Sequence, residues 1–460
     1  MNVTMAKPVL TPDQAALLIR DGVTVAIGGS GAGHSIPERM LEAIGRRHHS
    51  SGAPRELTLI HPFGVGDQGA RGLEHMATPG LYHRVIGGHW SMSPSMAKLA
   101  AENLFEAYCL PAGIVVQLFH AAASGSPGFI SQIGLHTFID PRVEGGKLNA
   151  RTVEDRKEYL YYRAHPIDVA LIRGAVADEE GNLSMHEEVA PWHNCAMAQA
   201  ARAAGGITIA QVKRIVPARS LDPRLVHVPG IFIDYLIVDP DQGMTYNIGY
   251  DPALSGEARK PESEFAAFPF SVRKSIAPRA AMELRPGAVI NVGFGVPDGV
   301  MKVAREQEIA QSVVPTIEQG QIGGIPAEGL EFGAAYNSTA IIGTGGFIDI
   351  AQKARKVVFC GTLAVRGGKP KFVPAVRQIT FSGANAIATG QEVLYVTEAA
   401  VFRLTAEGLQ LEEVAPGLDA ERDVIARMAF RPLMGASLGT MRAELFAPTL
   451  LPADCFPAFP

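Results

Sequence analysis

Glu318 stands alone among glycines. It follows the apolar run Val313-Val-Pro-Thr-Ile317 and is itself followed by Gln-Gly-Gln-Ile-Gly-Gly, which brings in Gly320, Gly323 and Gly324. A lone glutamate at the end of a strand reads first as a solvated loop charge. The surrounding residues support a sharper reading. A carboxylate is a competent nucleophile if it stays ionised and if oxygen charge on its acyl adducts meets fixed donors. Glycines let main-chain N–H groups close around an acyl oxygen without side-chain clash, which makes Gly323 and Gly324 candidate oxyanion donors. Further glycine loops occur at Gly28-Gly-Ser-Gly-Ala-Gly33, at Gly293-Phe-Gly-Val-Pro297 and at Gly343-Thr-Gly-Gly346. The first two lie between a strand and a helix pattern, where main-chain N–H groups can meet an anion.

Other chemistries fit less well. Gly28 to Gly33 does not make G-x-G-x-x-G, and no acidic residue follows at the spacing a ribose needs. A purely structural tight turn explains the loop equally well. Ser30 nearly completes a G-x-S-x-G elbow, but the last position is Ala32, and His34 is too near in sequence to act as its base. The 13 histidines make no H-E-x-x-H, and His186-Glu-Glu-Val-Ala lacks a second imidazole, so no metal site is specified.

The elements that must hold these loops alternate. Val23–Ile27, Leu57–Ile60, Asp168–Ile172, Ile207–Ala210 and Lys356–Cys360 read as strands. Pro37–Arg47, Ser95–Glu106 and Cys195–Ala204 read as helices. Near-continuous apolar strands between helices predict an α/β fold built on mostly parallel sheet. The polar, Pro-bearing stretch from Asp251 to Glu264 breaks the pattern, after which the chain starts again. Turn, strand, glycine loop, proline and helix run from Asp21 to Ile44 and again from Pro286 to Ala304. We read two similar open α/β domains, a pseudo-repeat: 1–249, a linker over 250–275, and 276–460 carrying Glu318. A shared site is expected where the copies meet.

Composition bounds the rest. The 460 residues are 47% hydrophobic, enough for more than one core. Charge is nearly balanced, 41 basic against 46 acidic residues, which leaves no footprint for nucleic acid or for a membrane surface. Four scattered cysteines without C-x-x-C pairing read as free thiols of a reducing compartment. No apolar run approaches a bilayer span and no leader pattern opens the chain, so a cytoplasmic location is expected.

From Lys7 to Met434 the chain resembles the family I coenzyme A transferases, close to single-chain propionate and acetate CoA-transferases. The resemblance rests on Val85-Ile-Gly-Gly-His-Trp90, Ile231-Phe-Ile-Asp-Tyr235, Gly329-Leu-Glu-Phe-Gly-Ala-Ala-Tyr-Asn337 and an E-x-G-x-I-G-G-x-P pattern that begins at Glu318. It implies ping-pong transfer of CoA between a short-chain acyl-CoA and a carboxylic acid through a glutamyl-CoA thioester on Glu318. It also implies CoA contacts at Gly293, Phe294, Gly295, Val296, Gly343, Gly345 and Gly346. Gly28, Gly29, Gly31 and Gly33 would join Gly323 and Gly324 in the acyl and oxyanion pocket. It implies no cofactor, since CoA is a substrate, and a homo-oligomer, dimer or tetramer.

Three departures accompany the resemblance. The first glycine loop is one residue longer, with Ser30 where Phe is common and His34 inserted; Ala112 stands where Gln is usual; and relatives carry a long additional segment between Ile342 and Gly343. The first-half counterpart of that segment, Ile167 to Leu183, is present. Its loss in the second half predicts an exposed sheet edge or a cavity. An acyl-CoA-binding protein without catalysis and an acyl-CoA hydrolase using the same glutamate are the alternative readings.

Overall fold

In the computed structural model, residues 6–143, 148–341, 345–365 and 367–456 are described. They form two compact units, 1–260 with 318–349, and 261–317 with 350–460. This differs from the sequence boundaries in one respect that matters: residues 318–349, Glu318 included, fold with the first unit. The reason is local packing. The Gln321 side-chain amide donates to the carbonyls of Val189 and Gly333 at 3.1 and 2.9 Å, and Ala327 and Ala334 pack with Phe63, Met185 and Trp192.

The first unit is built on parallel strands: β1 (Thr24–Ile27), β2 (Leu57–His61), β3 (Tyr82–Gly87), β4 (Glu106–Cys109), β5 (Val169–Asp178), β6 (Ile207–Val216) and β7 (Tyr235–Val238). Their spatial order is β7-β6-β5-β1-β2-β3-β4, every pair parallel. Alternation along each strand feeds two cores. Val25, Ile27, Val169 and Leu171 pack on one face; Ala26, Ala170 and Ile172 pack on the other. That is why β5 is buried along its whole length and mostly apolar, Arg173 being the charge in its middle. Helices α1 (Glu38–Ser51), α2 (Pro94–Ala101), α3 (Ala112–Ala123) and α4 (Asn194–Ala203) connect and cover strands. The helix expected over Ser95–Glu106 ends at Ala101, because Asn103 takes a left-handed turn (φ 55°) and Glu106 already belongs to β4.

The order of strands reverses between β5 and β1. In open α/β sheets such a switch point, at the carboxyl ends of the strands, opens the crevice where ligands bind. The Gly28–Gly33 loop leaves the carboxyl end of β1 at that place.

The second unit repeats the opening of the first. Strand β8 (Val289–Asn291) pairs in parallel with β9 (Val314–Thr316), as β1 does with β2. A glycine loop and Pro297 then lead into α6 (Asp298–Glu306), preceded in the chain by α5 (Val272–Ala281). Pro37 and Pro297 occupy the same place, immediately before the first helical residue, and an acid follows each, Glu38 and Asp298. The copies then diverge. Where β5 lies beside β1, no strand lies along that side of β8 among the described residues, and Val289 is 72% exposed. A separate five-stranded sheet follows, β10 (Lys356–Cys360), β11 (Glu392–Val396), β12 (Ala400–Thr405), β13 (Gly408–Val414) and β14 (Leu433–Thr440). Its hairpins make it partly antiparallel. Its edge strand β10 is partly buried along its whole length and, among the described residues, pairs only with β11.

Candidate active site

Glu318 lies two residues beyond the end of β9, in the turn that leads to Gln321–Ile322. Part of the residue is open to solvent, yet its carboxyl lies deep enough for desolvation to dominate. Burial first, and the negative charge of Asp349 second, push that carboxyl up to about 7, against a weak hydrogen bond from the Gln319 amide at 3.3 Å. The turn needs glycine. Gly323 and Gly324 have φ of +71° and +77°, and a Cβ on Gly324 would lie 2.2 Å from the Tyr336 carbonyl oxygen.

The Glu318 segment meets the first glycine loop around Gly333. A Cβ placed there would lie 2.7 Å from the His34 ring and 3.3 Å from the Gln319 amide nitrogen. His34 is fully buried, stacks on Trp192 (centroids 6.3 Å apart, 10° between planes), and neither ring nitrogen has a hydrogen-bond partner. Burial, with Arg173 adding to it, holds this imidazole neutral, its titration pushed down to about 3. It therefore makes no dyad with Ser30, and the hydrolase elbow is not assembled. Ala112 sits in the first turn of α3 against Phe63, Met185 and Trp192, so the polar group of the family pattern is replaced by apolar packing.

A buried ion pair fixes the loop. Arg173 on β5 reaches Glu188 at 3.0 Å and also donates to the carbonyls of Gly33, Ile36 and Gly243. Glu188 in turn accepts from the Ser35 hydroxyl at 2.9 Å, and Ser35 accepts from the Trp192 indole at 2.9 Å.

The main-chain donors are more committed than the glycine pattern suggested. Gly28 donates to Leu171 at 2.9 Å, Ser30 to His34 at 2.9 Å and Gly31 to Gly64 at 2.7 Å. As donors to an acyl oxygen these groups are already occupied. Gly29 and Gly33 take left-handed conformations in the same turn, φ +87° and +94°. Each helix start carries a carboxylate in its first turn, Glu38 and Asp298, at the positive end of the helix dipole. Glu38 is bound by the Gly72 N–H, His75 and the Tyr246 hydroxyl; Asp298 pairs with Arg273.

In the second unit, Gly293, Phe294, Gly295 and Val296 form an open loop. Phe294 is 58% exposed, and a Cβ on Gly295 would meet nothing within 4 Å. Gly345 and Gly346 belong to the first unit, where Gly345 donates to the Glu318 carbonyl at 2.8 Å and Gly346 to the Asp349 carboxylate at 3.0 Å. Gly343 lies outside the described residues. Asp349 and Gln319 are site residues that the sequence reading missed. For Asp349 a signal existed: an acid three residues after Gly346 is the spacing at which a carboxylate returns to the N–H that precedes its own helix.

Among the described residues no cluster of His, Cys, Asp and Glu could hold a metal ion, and no helix is long and apolar enough to cross a membrane.

A parallel α/β sheet with a glycine loop at its switch point and a partly buried glutamate beside it defines a class, and the sequence comparisons give that class its name. Residues 9–239 match the coenzyme A transferase family model, and the chain belongs to that family. It is 37% identical to the acetate CoA-transferase YdiF of Escherichia coli K12, over 95% of each chain. It is 34% identical to the caffeate CoA-transferase of Acetobacterium woodii, over 95% of this chain and 97% of that one. The crystal structure of the acyl-CoA transferase YdiF of Escherichia coli O157:H7 as a thioester complex with CoA superposes with a TM-score of 0.89. That structure is 34% identical in sequence, and 98% of each chain is covered. The alignment to YdiF runs over 506 positions, more than the 460 residues present here, so the relative carries stretches that this chain lacks. The protein is a CoA-transferase.

Proposed function

We propose that this enzyme moves CoA between short-chain acyl-CoA and carboxylate pairs, acetate and propionate being the acceptors, with Glu318 as nucleophile. The Glu318 carboxylate attacks the acyl-CoA carbonyl; the C–S bond breaks, leaving a mixed acyl–glutamyl anhydride and CoA thiolate. The thiolate attacks the glutamyl carbonyl and expels the acyl group as a carboxylate, so the enzyme holds CoA as a thioester. A second carboxylate runs the steps in reverse. No metal or organic cofactor takes part, and CoA is itself a substrate. Gly293 to Val296 and Gly343 to Gly346 serve CoA. Gly28, Gly29, Gly31, Gly33, Gly323 and Gly324 line the acyl side. The working form is a cytoplasmic homo-oligomer.

One observation carries the reading: a lone glutamate in a glycine turn, its carboxyl balanced near neutrality, begins the E-x-G-x-I-G-G-x-P pattern in a chain similar to a relative seen as a CoA thioester. The pathway is tested by incubating the protein with acetyl-CoA, reducing with borohydride and locating the product by mass spectrometry. Modification of Glu318 is expected. Glu318→Ala should lose both the adduct and transfer, by at least about a thousandfold, while its circular dichroism stays that of the parent, since a turn carboxylate carries little packing. Transfer that survives this substitution overturns the assignment, and thioester loss without an acceptor acid replaces transfer with hydrolysis.

A further inference from the structure

We propose that Asp349 is a positioning residue for the nucleophile, tying the glycine turn at Gly345 and Gly346 to the start of helix α3. The inference rests on Glu318 being the attacking group. One oxygen of Asp349 accepts two main-chain N–H groups, from Gly113 in the first turn of α3 and from Gly346, each at 3.0 Å. The next N–H back along the chain, that of Gly345, donates to the Glu318 carbonyl at 2.8 Å. A continuous path of three hydrogen bonds and one peptide unit therefore runs from a twelve-residue helix to the backbone of Glu318.

The close approach is built in at both contacts. A Cβ on Gly113 would lie 2.8 Å from the Asp349 carboxylate, and one on Gly346 would lie 3.0 Å from the Ala112 side chain. Ala112, a departure from the family pattern, thus lies where the turn seats on α3.

Charge gives the strut a second effect. Among the described residues, the titratable groups coupled here are Glu318, Asp349 and Tyr162. The Tyr162 phenol is kept protonated, first by burial and then by the charge of Asp349, and its hydroxyl donates to the Ile133 carbonyl. Asp349 is itself raised by burial, against the N–H groups that favour its ionised form. Its charge opposes that of Glu318 only while Glu318 is a carboxylate. Acylation of Glu318 removes one of the two charges and relieves the repulsion.

The test uses the full-length protein and reads adduct formation at Glu318 by mass spectrometry as a function of pH. In the parent protein the adduct should rise through about pH 7, as Glu318 ionises. In Asp349→Asn the midpoint should move down in pH, because the Asp349 charge that raises Glu318 is gone, and the limiting rate at high pH should fall about tenfold. Gly113→Ala is the second variant. Its methyl group displaces the carboxylate from the α3 N–H without removing charge, in a helix where alanine is favoured, so the rate should fall while the midpoint moves less than in Asp349→Asn. An adduct in the parent with an unchanged midpoint and rate in Asp349→Asn overturns the positioning role alone. An unchanged rate in Gly113→Ala removes the strut. Absence of any Glu318 adduct in the parent overturns the nucleophile, and this inference with it.

Discussion

At the scale of single residues the chemistry turns on how uncomfortable Glu318 is. A carboxylate that is fully solvated is a weak nucleophile, while one buried without relief stays protonated. Titration near 7 places this group between those limits at neutral pH. The cost appears in stability. Its folded value lies above the ordinary 4.5, so the stabilising protonated form is fully present below 4.5 and is lost as pH rises through about 7. Gln cannot ionise. Glu318→Gln should match the parent in urea unfolding at pH 4 and exceed it at pH 8, by up to about 3 kcal/mol. Equal stability at both pH values would show that the carboxylate is not strained.

Among elements, the decisive one is β5. Its apolar residues seat it beside β1, and the single charge in its middle, Arg173, is turned to hold the Gly33–Ile36 carbonyls and Glu188. A guanidinium at that depth is tolerated because every direction it faces holds an acceptor. Removing the acid leaves the cation unpaired. Glu188→Ala should therefore cost about 3–5 kcal/mol in chemical unfolding and also slow transfer, since the Gly28–Gly33 turn loses its anchor. A loss below about 1 kcal/mol would mean the pair only decorates the fold.

For the whole molecule the central fact is what the second copy lacks. The first unit places β5 between β1 and β6, whereas among the described residues β8 has a partner on one side only. An exposed strand edge with Val289 open to solvent invites pairing with another chain. Val289→Lys should change unfolding free energy by no more than about 0.5 kcal/mol and reduce concentration-dependent light scattering. A large destabilisation would mean that this valine is covered in solution.

The residues alone made much of this legible. Apolar runs such as Val23–Ile27 and Asp168–Ile172 can satisfy both faces only inside a covered parallel sheet. The Pro37 and Pro297 loops announced the repeat, and the family pattern singled out Glu318 and the missing segment between Ile342 and Gly343. Tertiary structure alone decided which unit Glu318 joins, because that depends on the Gln321 contacts to Val189 and Gly333 and not on position in the chain. It also decided that the Gly28 and Gly31 N–H groups are occupied by Leu171 and Gly64, and that Asp349, 31 residues from Glu318 in sequence, shares its field. Hydrogen-bond commitment and desolvation are properties of neighbours in space. A linear sequence shows the types of such groups, and only the folded chain shows what they face.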